Sequence, residues 1–253
     1  MDAVNDRAIE GHGTTEADWL GWSGLAAAPL VTLDDLVPPG RRAVVVAPHP
    51  DDEVLAAGGL IALLAQRGRT PLLIAVTDGT ASHEGSTDWP ADRLARERPR
   101  ESEAALQVLG VHDGALLRLG FPDGGLRADC ERLADTLHAL LRPDDVVFTT
   151  WRLDGHPDHE ATGDACAEAT RRCGASLVEI PVWAWHWSRP ADPRLPWTRA
   201  CQLWLDDTIV ERKRDAVQCF HSQLVPDAST GQAPILRPTT VQRANRPFEL
   251  MFT

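Results

Sequence analysis

Two short polar runs carry the residue types that could do chemistry. The first is His49-Pro50-Asp51-Asp52-Glu53; the second, about a hundred residues on, is Asp154-Gly155-His156-Pro157-Asp158-His159. Imidazole nitrogen with carboxylate oxygen suits Zn²⁺ better than Mg²⁺ or Ca²⁺, and three protein ligands with an open fourth position make a catalytic zinc site. Adjacent carboxylates on a loop entering a helix point in different directions. Of Asp51 and Asp52, one can therefore bind metal while its neighbour faces the water as a base. His156 and His159 are three apart and share a face if that segment is helical, so one can ligate while the other reaches a substrate. Alone, three acids opening a helix read as favourable partners of the helix dipole. Glu53 either supports a ligand histidine or caps the helix, and Asp158 reads as a cap.

These runs need elements to position them. Ala43 to Ala47 is a continuous apolar run, as expected of a strand buried on both faces of a parallel sheet, and it feeds the first cluster. A helix follows through Val54 to Leu64, ended by Gly68. The alternation then repeats: strand 71–77, helix 93–109, strand 116–119, helix 126–141, strand 146–150 feeding the second cluster, helix 160–173 and strand 176–184. This order predicts an α/β fold, a Rossmann-like doubly wound and mostly parallel sheet with helices on both faces, in a single domain. Residues 1–40 read as an N-terminal arm packing on a catalytic domain of 41–225, and 226–253 as an irregular C-terminal tail. In such sheets ligands bind beyond the carboxyl ends of the strands, where both clusters fall.

The two runs, in this order and spacing, resemble the PIG-L/LmbE-like family of zinc-dependent N-deacetylases. Thr77-Asp78-Gly79, Arg100-Glu101-Ser102-Glu103-Ala104, Leu119 to Gly124 and Lys213 to Gln223 add to the likeness, which covers about residues 42 to 224. The resemblance implies removal of an N-acetyl group from an amino sugar of the N-acetylglucosamine type. It implies one Zn²⁺ per chain held by His49, Asp52 and His159, with Asp51 as general base. His156 would stabilise the tetrahedral intermediate and protonate the departing amine. Glu53, Asp78, Asp154, Arg152 and His221 are further candidates for supporting the site or touching substrate. Some family members carry a tyrosine where this chain has Asp154; either that donor is dispensable here, or Arg152 or a backbone N–H replaces it.

The composition narrows the alternatives. The chain has 253 residues, 43% of them hydrophobic, enough for one well-buried domain. With 25 basic against 37 acidic residues the net charge is −12, which opposes nucleic acid and anionic membrane as partners. There is no tyrosine, and Lys213 is the one lysine, so a tyrosyl mechanism is excluded. The five cysteines are odd in number and form no C-x-x-C pair, which argues against a disulfide framework. The acidic Met1 to Asp6 does not resemble a signal peptide and no apolar run spans a bilayer, so a cytoplasmic protein with a small-molecule partner is expected. Exposed tryptophans could mark a homo-oligomer interface.

Other readings are a metal-dependent phosphoesterase, which commonly needs ligands for two metals, and a non-catalytic metal- or sugar-binding module, which would not need Asp51. Serine-hydrolase and nucleotide-binding signatures are absent. Trp183, Trp185 and Trp187 alternate with strand period, as core or as a sugar-stacking face. Ser82 to Trp89 suits a lid, Arg93, Arg96, Arg98 and Arg100 a solvated helix face, and His12, His83, His112 and His138 the surface.

Overall fold

The computed structural model describes residues 7–112 and 116–253, so the acidic run at residues 1–6 lies outside the described residues. Strand β2 (Ala43–Ala47) is buried at every position, and so is β5 (Val146–Thr150). Val45 packs with Leu60, Leu106 and Ile209 on one face, while Val44 and Val46 pack with Leu133 and Ala165 on the other. The two-residue period of a strand thus feeds two helical layers at once. The first layer holds α4 (Asp52–Gln66), α5 (Ala91–Val108) and α9 (Asp207–Val217), and the second α6 (Cys130–Leu140) and α7 (Pro157–Cys173).

Among the described residues eight strands form one sheet, in the order β1 (Leu30–Val31), β7 (Ala200–Trp204), β8 (Phe248–Phe252), β6 (Ser176–Ile180), β5, β2, β3 (Leu72–Thr77), β4 (Leu116–Phe121). Strands β3 (Leu72–Thr77), β4 (Leu116–Phe121) and β6 (Ser176–Ile180) extend the parallel set. The chain winds one way from β2 through β3 to β4 and the other way from β5 to β6. The point of reversal lies between β2 and β5, paired with Val44 opposite Val147, and there a crevice must open.

Two parts of the sheet depart from the expected pattern. Residues 226–253 are not an irregular tail: they contain α11 (Pro238–Gln242) and β8 (Phe248–Phe252), which runs antiparallel between β6 and β7 (Ala200–Trp204). Short β-branch-poor strands in this position have little periodicity to announce them, because their pairing partners are far away in sequence. The arm contributes α1 (Glu16–Leu20), α2 (Ser23–Ala26) and an edge strand, β1 (Leu30–Val31), parallel to β7. Trp19 is fully buried and its indole N–H donates to the Trp185 carbonyl at 3.0 Å.

The tryptophan run is also corrected. Ala184–Trp187 is one helical turn, α8, rather than strand; Trp183 packs against the first core face, while Trp185 and Trp187 belong to a separate cluster. Trp185 packs edge-on against Trp19, and Trp187 stacks near Trp151. No helix among the described residues is long and apolar enough to cross a membrane.

Candidate metal and active site

Both clusters meet in the crevice between β2 and β5, at a cavity of about 310 Å³. Asp52 begins α4 and His159 lies in the first turn of α7, so each helix is fixed at its start by a strand end. Asp52 Oδ2 stands 3.0 Å from His49 Nδ1 and 3.2 Å from His159 Nε2. Ligand atoms about 2.0–2.1 Å from a tetrahedral zinc are themselves roughly 3.3 Å apart, so this spacing suits one ion. His159 Nε2 is buried and makes no hydrogen bond, which leaves a lone pair for a metal. The donor set therefore fits a zinc ion.

The other nitrogen of each imidazole is held by acids. His159 Nδ1 bonds Asp154 Oδ2 at 2.8 Å, and Asp154 in turn accepts the backbone N–H groups of Val182, Trp183 and Ala184, each at 2.9 Å. His49 Nε2 faces Asp123 Oδ1 at 3.1 Å and Asp158 Oδ2 at 3.3 Å. Such outer carboxylates fix the tautomer and make the ligating nitrogen more basic. Asp158 is thus not a helix cap; it also accepts from Gly124 N and Leu126 N, tying the end of β4 to α7. A second acid-rich group, His49 with Asp123 and Asp158, could hold an ion only by taking the nitrogen that keeps His49 in place.

Asp51 has a positive φ of 126°, costly for a residue with a Cβ, by roughly 1–3 kcal/mol. Its neighbours over-determine it. Arg98 donates to Asp51 Oδ2 at 3.1 Å, to the Pro50 carbonyl at 2.6 Å and to the Gly79 carbonyl at 2.7 Å, while Asp51 N–H donates to Glu53 Oε2 at 3.1 Å. Glu53 therefore fixes the turn rather than supporting a ligand histidine. Arg98, expected on a solvated helix face, is 3% exposed. A side chain on Gly79 would meet its guanidinium at 2.0 Å, so the glycine of Thr77-Asp78-Gly79 clears the path for Arg98.

His156 is the N-cap of α7, and its Nδ1 accepts the Asp158 N–H at 3.2 Å. The ring proton is thereby placed on Nε2. Its ring lies 5.0 Å from that of His49 and 4.8 Å from that of His159, and one nitrogen of each of the three is within 4.8 Å of the others.

Burial dominates the electrostatics. It pushes the Asp51 carboxyl up to about 8, with Arg98 opposing and Asp52 adding to the rise. Burial lowers His156 to about 3, helped by His159 and His49. For His159 burial pulls downward, but Asp52 and Asp154 outweigh it and carry the imidazole up to about 9. Burial likewise raises Asp52, but His159 and His49 hold it well below the carboxylate range. Two imidazoles and their carboxylates thus share charge in a dry site, and a cation would replace the imidazole protons.

Several expected residues lie elsewhere. Asp78 pairs with Arg118 at 2.7 Å, and Arg152 pairs with Glu179 at 2.8 Å; neither lines the cavity. Asp154 sits behind His159, and neither it nor Arg152 lines the cavity. His221 is exposed, and Gln223 lines the cavity instead. Glu101 accepts from Ser222 N at 2.6 Å and Ser222 Oγ at 2.7 Å, and Ser222 Oγ accepts from Gln223 Nε2 at 2.8 Å. Gln223 Oε1 is buried without a partner. The Arg100 to Ala104 and Lys213 to Gln223 motifs are thus one device for presenting an amide.

Sequence reasoning missed Arg98 and Asp123 as lining residues, while Ser82, at the start of the expected lid, does line the cavity. Asp123 could have been found, since it follows β4 at the same sheet edge. Of the three tryptophans only Trp183 lines the cavity. His83 is 8% exposed rather than on the surface, and Ser86 and Thr87 of the expected lid are tethered to Ser229.

The family described as PIG-L: GlcNAc-PI de-N-acetylase matches residues 44–170. The chain is 33% identical over 138 residues to the "Probable N-acetyl-alpha-D-glucosaminyl L-malate deacetylase 2" of Bacillus cereus, covering 52% of this chain and 62% of that protein. It is 33% identical over 146 residues to the "1D-myo-inositol 2-acetamido-2-deoxy-alpha-D-glucopyranoside deacetylase" of Corynebacterium diphtheriae, covering 47% and 49%. The matched stretch thus spans about half to three fifths of these relatives. A solved deacetylase from the biosynthesis pathway of teicoplanin shares the fold with a TM-score of 0.64 at 22% identity, covering 83% of this chain and 96% of that one. Because the family match takes in half of the sequence and both polar clusters, the chain belongs to the PIG-L, GlcNAc-PI de-N-acetylase, family.

Proposed function

We propose that the protein is a zinc-dependent hydrolase that removes the N-acetyl group from an N-acetylated amino sugar, of the N-acetylglucosamine glycoside or conjugate type. The observation that carries this reading is that Asp52 Oδ2 lies between His49 Nδ1 and His159 Nε2, with the opposite imidazole nitrogens held by acids and Asp51 in the same cavity. The names of the relatives, all acting on acetylated glucosaminides, support the substrate class.

A zinc ion held by His49, Asp52 and His159 would supply Lewis acidity and acidify water within its reach, by several pKa units. The protein's own groups do the rest. Asp51, fixed by Arg98, accepts a proton from the attacking water. His156 donates its Nε2–H to the developing oxyanion, the part that a tyrosine shares in some relatives. Its Nδ1 already accepts the Asp158 N–H, so a second proton there would break that bond. On this geometry the amine nitrogen takes its proton back from Asp51, and His156 keeps only the oxyanion part of the dual role. Gln223 Oε1 and Trp183 offer a hydroxyl acceptor and an apolar face to the sugar.

Free-amine release from a panel of N-acetylglucosaminides, run with zinc-loaded protein beside Asp51→Asn, tests the reading. Amine that appears with wild type and vanishes in the variant is the expected result. No amine from any member, with zinc bound, would leave a metal-binding protein without this activity.

A further inference from the structure

A second, smaller cavity of about 40 Å³ lies beside the first, with Leu55 forming part of the wall of both. The same C-terminal stretch lines both: Ile235 and Leu236 face the reacting cavity, Thr240 and Arg243 the smaller one. Three cations and one carboxylate, Glu249, line the small cavity. Lys213 is paired with Glu249 at 2.6 Å, and Arg246 with Glu16 at 2.6 Å. Among the described residues Arg243 has no counter-ion within salt-bridge distance: its Nε and both terminal nitrogens are buried and make no hydrogen bond. The hydroxyl of Thr240, on the same wall, is buried and equally unpartnered.

Five N–H donors left dry are a severe defect in a folded protein unless something fills the space. Burial and the neighbouring Arg246 even pull the Arg243 guanidinium down to about 9. A water molecule satisfies donors but does not balance the charge, whereas an anion does both. In a chain of net charge −12, an unpaired guanidinium facing a cavity is also against the general trend. The volume holds roughly three waters, about the oxygens of one carboxylate or phosphate group.

We propose that this cavity is an anion subsite in which Arg243 and Thr240 bind a carboxylate or phosphate group. The group could arrive as a free anion, or on the aglycone of the sugar substrate, whose cavity lies across Leu55. The substrate arm of the test rests on the deacetylase reading; the binding arm does not.

Thermal unfolding is followed with inorganic phosphate or acetate against chloride at equal ionic strength, for wild type and Arg243→Met. Wild type is expected to gain roughly 2–6 °C from at least one of the two anions and the variant nothing. In chloride the variant should be as stable as wild type or more so, because an uncompensated buried charge has been removed. A wild type indifferent to both anions, or a variant that responds equally, overturns the proposal. In the second arm, hydrolysis of N-acetylglucosamine 1-phosphate is compared with that of methyl N-acetylglucosaminide. A KM raised about tenfold in Arg243→Met for the phosphate alone, with kcat and bound zinc unchanged, identifies the substrate as the source. Equal KM values with the thermal shift intact identify a free anion. Inactivity towards both sugars would count against the deacetylase reading and leave the binding result to decide this one.

Discussion

The crevice between β2 and β5 and the C-terminal stretch 235–252 are neighbours in space but opposite in how they are built. The crevice is made of local pieces: each strand ends, a helix begins, and the chemistry sits in the few residues between. The C-terminal stretch is made of distant partners. β8 fits between two strands that precede it by some fifty and seventy residues, and Glu249 on it accepts from Lys213 at 2.6 Å, Gly59 N at 2.6 Å and Leu60 N at 2.9 Å. Those last two amides belong to α4, close after its non-helical residue Ala57, and α4 carries Asp52. The comparison teaches that the reacting residues are local, while the helix that aims one of them is held by the far end of the chain.

The largest effects are expected at the proposed zinc ligands. His159→Ala should lose both bound zinc and turnover, measured by metal analysis and amine release. Asp51→Asn should keep zinc near the wild-type level and lose turnover by about a hundredfold or more; loss of zinc as well would make Asp51 a ligand. For Asp154→Asn, which weakens the hold on His159, the expected change is a drop of roughly 10–100-fold in zinc affinity, read by competition with a chelator.

On the other side of the comparison, Glu249→Ala strands Lys213 in the interior and frees two α4 amides. It should destabilise the fold by about 3–5 kcal/mol in denaturant titration, and Lys213→Met added to Glu249→Gln should recover much of that. His156→Gln offers a finer test, since its amide can imitate an Nε2–H donor. Retention of more activity than His156→Ala supports the oxyanion role, whereas equal loss would return proton delivery to His156.

The smallest effect is expected at Glu179, on β6. Burial raises its carboxyl, but Arg152 and Arg199 outweigh this and hold it below the usual range. A depressed acid contributes stability that is present above the unfolded value and lost as pH falls through the folded one. Wild type should therefore lose Tm more steeply than Glu179→Gln as pH drops below about 4.3.

How much of this was legible follows the same division. The run Ala43 to Ala47 reads as a buried parallel strand because every side chain is apolar, and the clusters after it and after Val146 to Thr150 read as a site because strand ends are where such sheets bind. Arg98 was misread because an arginine among arginines on a helix carries no sign of burial; Gly79, which makes room for it, was the available signal. The tryptophan run was misread because alternation over five residues does not distinguish a strand from a single helical turn. β8 was missed because its partners are set by pairing across the sheet, not by its own pattern.

By itself the sequence determined the parallel α/β alternation and the two polar clusters, since both depend on residues within a few positions of one another. Tertiary structure alone decided which acid stands behind which histidine, that Asp158 supports His49 and Asp154 supports His159. It also decided that Gln223 rather than His221 enters the cavity and that Arg243 is left without a partner. Those outcomes depend on how separate segments meet, 109 residues apart for His49 and Asp158 and about thirty for Asp154 and the Val182 to Ala184 amides that hold it, and contacts of that kind are fixed by packing.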